Sequence, residues 1–238
     1  MNRVLLWTLC VTVTGGCGTK VIGLRSDPSF TYETLSSGGI TVGGVTSLVG
    51  ADDLATQQQM ANQLRVSILK ERSDIAVQPG AELLRALGEE VYDDLLWSYR
   101  LSGEIAETWL EQLWLAAAGD VRYVIFARIE RDETVRDRVV ALDSSDVEVT
   151  TFKISRSVGI SFLVYDLTLT NGASVWSGSI DKTEKKSRVH RERGDILTSV
   201  VEAVLGLNKS GYPSPPEFSK LSREVFEGFA DNLPEGGH

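Results

Sequence analysis

Val158-Gly159-Ile160-Ser161-Phe162-Leu163-Val164-Tyr165-Asp166-Leu167-Thr168-Leu169, followed by Thr170-Asn171-Gly172, decides the fold of this chain. Alternation sends Ile160, Phe162 and Val164 to one side, and Leu163, Tyr165, Leu167 and Leu169 to the other. Both sides are apolar, as in a central strand covered on two faces. Asn-Gly permits positive φ at two successive positions, the requirement of a type I′ hairpin. That turn predicts Thr170 opposite Ala173, Leu167 opposite Trp176 and Leu163 opposite Ile180. On the return strand the alternate positions Val175, Ser177, Ser179 and Asp181 are mostly polar, which places the strand near a sheet edge.

Upstream, Val121 to Ile129 is a second run that is apolar on both faces. Before it lie short strands at Ile40–Val45 and Asp74–Val77. Helical stripes are predicted from Leu54 to Lys70, from Glu82 to Leu96, and again from Ile105 to Ala117 after a break at Gly103. Asp52-Asp53 precedes the first of these and reads as a cap for its free N–H groups rather than as a metal or acid–base pair. Pro79 suits the start of the second. Trp97, Trp109 and Trp114 fall in these helices and are expected in the core, with a ligand- or partner-binding aromatic cluster as the alternative. Downstream, Asp195–Leu205 is amphipathic, Gly211–Pro216 is a stiff linker, and a last helix is expected near Phe218–Phe229. The fold class is α/β: a mixed sheet flanked by helices, in one compact domain.

The N-terminus has a different character. Met1-Asn2-Arg3 is followed by the short apolar run Val4–Val13 and then by Thr14-Gly15-Gly16-Cys17, the layout of a secretory signal. The run falls short of the roughly 20 apolar residues that span a bilayer. The only cysteines are Cys10, inside the leader, and Cys17. A mature chain with one cysteine forms no internal disulfide. Val13–Cys17 resembles the lipobox of bacterial lipoproteins, with Thr14 in place of the usual Leu. The resemblance implies a diacylglyceryl thioether on Cys17, cleavage before it, and stable membrane attachment through two or three acyl chains. Gly18, rather than Asp, after the cysteine implies the outer membrane by similarity to enterobacterial sorting. The expected organisation is a signal peptide at 1–16, a lipidated N-terminus and flexible tether at 17–39, the α/β domain at 40–207, and a Pro-rich linker with a C-terminal helix at 208–238.

Composition narrows the function. Of 238 residues, 42% are apolar and 24% charged, enough for a core and against wholesale disorder. A net charge of −9 disfavours nucleic acid as a partner. No nucleophile elbow, zinc-protease helix or Walker loop occurs. His190 lies in a charged run and His238 ends the chain, while adjacent carboxylates such as Asp93 and Asp94 diverge by about 100° on a helix. No enzyme, cofactor or metal is expected. The one local exception to the acidic character is Lys182, Lys185, Lys186, Arg188, His190, Arg191 and Arg193. It is either a site for an anionic partner or an exposed strand end protected by cations.

Two segments carry a wider resemblance. Gly119–Ile129 and the strand-turn-strand Tyr165–Gly178 are similar to segments of the curli-secretion lipoprotein CsgG, the LpoB-like activators of peptidoglycan synthases and the N-terminal domain of TolB. The likeness runs over roughly Ile40 to Leu207. It implies a non-enzymatic envelope domain that binds another envelope protein, with a homo-oligomer also possible. The alternatives are a subunit of a CsgG-like secretion channel and, last, a glycan-active enzyme. A channel needs membrane strands of about 9–11 residues with a clean apolar row. Thr134–Ser157 is the only candidate, and Arg136, Asp137, Arg138, Asp143, Asp146, Glu148 and Lys153 interrupt it. That segment is expected to form a surface hairpin or a partner arm.

Overall fold

The computed structural model describes residues 20–50, 53–117, 119–142, 144, 148–169, 172–191 and 211–236. Within them the order is β1 (Val21–Ser26), α1 (Tyr32–Gly38), β2 (Ile40–Ser47), α2 (Leu54–Glu71), β3 (Val77–Gln78), α3 (Gly80–Leu87), α4 (Glu89–Ser102), α5 (Glu107–Ala116), β4 (Tyr123–Leu142), β5 (Glu148–Asp166), β6 (Ser174–Arg191) and α6 (Phe218–Ala230). The strands form one mixed sheet in the order β1-β6-β5-β4-β2-β3. β2 runs parallel to β3 and β4, and the remaining neighbours are antiparallel.

Alternation along the central strands builds two cores. Tyr123, Ile125, Ala127, Ile160, Phe162 and Val164 face α2 and α6, where they meet Leu64, Ile68, Phe226 and Phe229. Phe229 stacks on Phe162 at 4.4 Å and meets Trp176 edge-on at 5.0 Å. Val124, Phe126, Leu163, Tyr165 and Leu167 face α3, α4 and α5. Both faces of the sheet are thereby covered, as the doubly apolar runs required.

The boundaries differ from expectation in four places. The tether does not extend to Gly39. Val21 to Ser26 forms an edge strand on β6, and α1 follows with a Thr31–Thr34 capping box and a buried Leu35. Pairing by main-chain groups needs no side-chain period, so β1 left no pattern, and Ile22 and Leu24 are about half exposed. The C-terminal helix is not an appendage: Leu221, Val225, Phe226, Phe229 and Leu233 belong to the core. Arg72 donates to the carbonyls of Leu233 and Pro234 and pairs with Asp74, which fastens that end to the turn after α2.

The hairpin register is also corrected. Val164, not Leu167, opposes Trp176, and Ile160, not Leu163, opposes Ile180. β5 stops at Asp166 because its buried carboxylate accepts from the amide and hydroxyl of Thr168 and from Arg122. These local bonds turn the chain before Asn-Gly can set the pairing. Finally, Trp97 and Trp114 lie outside the core, at 56% and 39% exposure. α4 buries Tyr92, Leu95, Leu96 and Tyr99, and Trp97 falls about 100° from that stripe. The predicted helix at Asp195–Leu205 lies outside the described residues.

Candidate functional site

The longest feature is an arm. β4 and β5 pair without interruption from Arg131–Gly159 to Leu142–Glu148, and β6 follows β5 out to Arg191. At strand rise this extends roughly 35–40 Å beyond the base. The sequence signal was alternation through Phe152, Ile154 and Val158, masked by Lys153 between them and by Arg156 on the same face. Thr134–Ser157 was expected as a surface hairpin, and a third strand, β6, completes it.

The two faces of the arm differ. On the α2/α6 face, Ile154 and Val158 are buried. Arg156 makes two 2.6 Å contacts with the Asp132 carboxylate, donates to the Pro216 carbonyl at 3.2 Å and lies over Phe218. These bonds hold the Arg156 guanidinium above its ordinary pKa, the hydrogen bond to Asp132 contributing most. Tyr212 meets Phe152 edge-on at 5.0 Å, and Arg138 lies over the same ring. Lys220 of α6 reaches Glu184 of β6 at 2.8 Å, which lowers the carboxyl's pKa and raises the ammonium's. The linker at 211–216 and α6 therefore brace this side.

The opposite face carries Glu133, Val135, Asp137 and Val139 of β4 beside Ser157, Ser155, Lys153 and Thr151 of β5 and Thr183, Lys185, Ser187 and Val189 of β6. The α3–α5 layer reaches the sheet no farther along β4 than Arg128, which donates to the Arg100 carbonyl. Val135 and Val139 on this face are 50% and 40% exposed. Towards the tip, Val140, Leu142 and Val189 are exposed as well, among the charged residues Arg138, Glu148 and Arg191.

The expected cationic cluster does not form a single patch. Register places Lys182, Lys186 and Arg188 beside Val158, Ile154 and Phe152 on the braced face, and Lys185 beside Ser155 on the bare one. Arg191 ends β6 in register with Val149. Cys17 and Arg193 lie outside the described residues. The cap reading of Asp53 holds: its carboxylate accepts from the Thr56 amide at 2.9 Å and hydroxyl at 3.0 Å, which lower its pKa. Among the described residues, no group of three or more His, Cys, Asp and Glu is placed to hold a metal ion. Nor is any described helix long and apolar enough to cross a membrane.

No protein-family model matches the chain, and no curated protein does. Solved structures similar to it include the PelC dodecamer from Paraburkholderia phytofirmans, at 15% identity over 92% of this chain and 99% of that one, TM-score 0.35. Lipoprotein GNA1162 from Neisseria meningitidis is similar at 17% identity over 71% and 95%, TM-score 0.35. The hypothetical protein CT253 from Chlamydia trachomatis is similar at 10% over 82% and 95%, TM-score 0.38. At these identities and TM-scores none of them assigns this chain a role.

Proposed function

We propose that this chain is a lipid-anchored, non-enzymatic lipoprotein on the periplasmic side of the outer membrane, and that its arm docks on another envelope protein. The anchor is read from Val13–Cys17. The arm carries the docking part of the reading. It places a bare, mixed-charge sheet face and the exposed apolar side chains of Val139, Val140, Leu142 and Val189 well beyond the two helical layers. Beyond Ile154 the arm adds no buried apolar side chain among the described residues, whereas an interface there gains an apolar anchor with a polar surround. Neither face of the arm offers a lipid-facing apolar row, since Glu133 and Asp137 interrupt one and Arg136 and Arg138 the other.

The test is photo-crosslinking in living cells from residues introduced at Val139 and Lys153, with Arg85 on α3 as the control position. A discrete adduct to one envelope protein from the arm positions alone is expected. Equal adducts from Arg85, or none from the arm, would show that the arm is not the docking element.

A further inference from the structure

We propose that this chain lays the β1–β6 edge of its sheet on an anionic phospholipid bilayer, so that the arm runs along the membrane surface and not away from it. The proposal rests on the anchor reading at Cys17. Only three residues separate Cys17 from Val21, the first residue of β1. Fully extended, that length of chain reaches no more than about 14 Å. Val21 pairs with Ile180, at the level where β2 ends and the arm begins. From that level the body continues to the start of β6 at Ser174, about 20 Å farther from the arm's tip at strand rise. An arm standing upright from the bilayer would put that body between Val21 and the membrane, and the tether is too short to pass it. Nor does the arm suit the hydrocarbon core. Arg136, Asp137, Arg138 and Lys153 lie along it, and among the described residues the outer edges of β4 and β6 have no strand beside them there. The arm is therefore held along the surface.

The residues of that edge match such a surface. β1 carries Ile22 and Leu24, 52% and 50% exposed, between the exposed Lys20 and Arg25. Beyond Ile180, where β1 ends, β6 carries Lys182, Lys185, Lys186 and Arg188. Alternation sends Lys185 to one face and the other three to the opposite face. On an edge strand, however, both rows border the same edge, and long cationic side chains reach past it. The two carboxylates of this stretch are neutralised within the chain. Asp181 pairs with Arg131 at 2.9 Å, and Glu184 with Lys220 at 2.8 Å. Apolar side chains flanked by cations suit the headgroup level of a bilayer. The chain as a whole carries a net charge of −9, which an anionic bilayer repels, so the cationic edge orients the molecule. With that edge down, the bare face around Val139 and Lys153 stays open at the side for the docking protein.

The test uses the full lipidated chain in vesicles of phosphatidylethanolamine and phosphatidylglycerol. A fluorophore sits on one introduced cysteine, and nitroxide quenchers sit on the lipid headgroups or deep in the acyl chains. Ile22→Cys and Ser187→Cys are expected to be quenched from the headgroups. Glu82→Cys, on α3 directly after the opposite edge strand β3, is expected not to be. Each lysine near an anionic surface contributes roughly a fivefold factor. Lys182→Gln, Lys185→Gln and Lys186→Gln together are therefore expected to lower the ratio of docked to undocked arms about a hundredfold and to remove the quenching at Ser187. Vesicles of phosphatidylcholine alone are expected to do the same. In both cases the chain still co-floats with the vesicles through its acyl chains. Quenching at Ile22 without quenching at Ser187, equal quenching at Glu82, stronger quenching of Ser187 by the deep nitroxide, or indifference to the three lysine substitutions would each overturn the placement. A chain whose Cys17 bears no acyl group by mass spectrometry would overturn the anchor and the placement with it. An acylated chain that is not quenched at Ser187 would overturn the placement alone.

Discussion

At Gly80 a hydrogen stands where any other residue carries Cβ, and a Cβ there would meet the Val42 carbonyl oxygen at 2.4 Å. In an exposed helix, replacing glycine by alanine gains about 1 kcal/mol. Here the contact is with backbone in a strand, which cannot rotate away. Gly80→Ala is expected to cost about 1–3 kcal/mol, read from urea denaturation. Asp231 shows the opposite balance. Burial and the neighbouring carboxylates Glu71, Glu227 and Glu235 raise its pKa, and it lies at the C-terminal end of α6, where a negative charge is unfavourable. The fold therefore favours the protonated acid. Stability is lost as pH rises from the ordinary carboxylate value of 3.8 through the raised one. Asp231→Asn is expected to raise the melting temperature by about 1–2 °C at pH 7, a gain that disappears near pH 3.

Among the elements, α6 shows most directly how packing overrides a boundary read from composition. Gly211–Pro216 has the sequence of a linker, and its residues brace the arm through Tyr212 and the Pro216 carbonyl. α6 then fills the face left open by α2, with Phe229 between Phe162 and Trp176. Phe229→Ala is expected to cost about 3–5 kcal/mol and to broaden or shift the single unfolding transition of the whole domain. A loss below 1 kcal/mol would show that α6 is separable. The strand-turn-strand element teaches a related lesson. Asn-Gly is a strong local signal, but the register is set where Asp166 bonds to Thr168 and Arg122, several residues before the turn.

For the whole molecule, two separate devices compose the functional reading: an anchor encoded before residue 18 and an arm at 131–142, 148–159 and 181–191. Cys17→Ala is expected to abolish incorporation of labelled palmitate and to release the protein from the membrane fraction. Unchanged labelling would remove the anchor from the account while leaving the arm untouched. Conversely, losing the crosslinks at Val139 and Lys153 would remove docking and leave lipidation standing.

The sequence by itself determined the two doubly apolar strands, the helices capped by Asp53 and begun after Pro79, and hence the layered α/β class. Such runs can be satisfied only by burial on both sides, and periodicity is a local property of the chain. Only the tertiary structure decided the edge strand at Val21–Ser26, the three-residue change of register, the exposure of Trp97 and Trp114, and the splitting of the lysines across two faces. Each depends on which segments meet in space. Main-chain pairing leaves no residue pattern, and the face a charged side chain takes on a strand depends on where its neighbour begins.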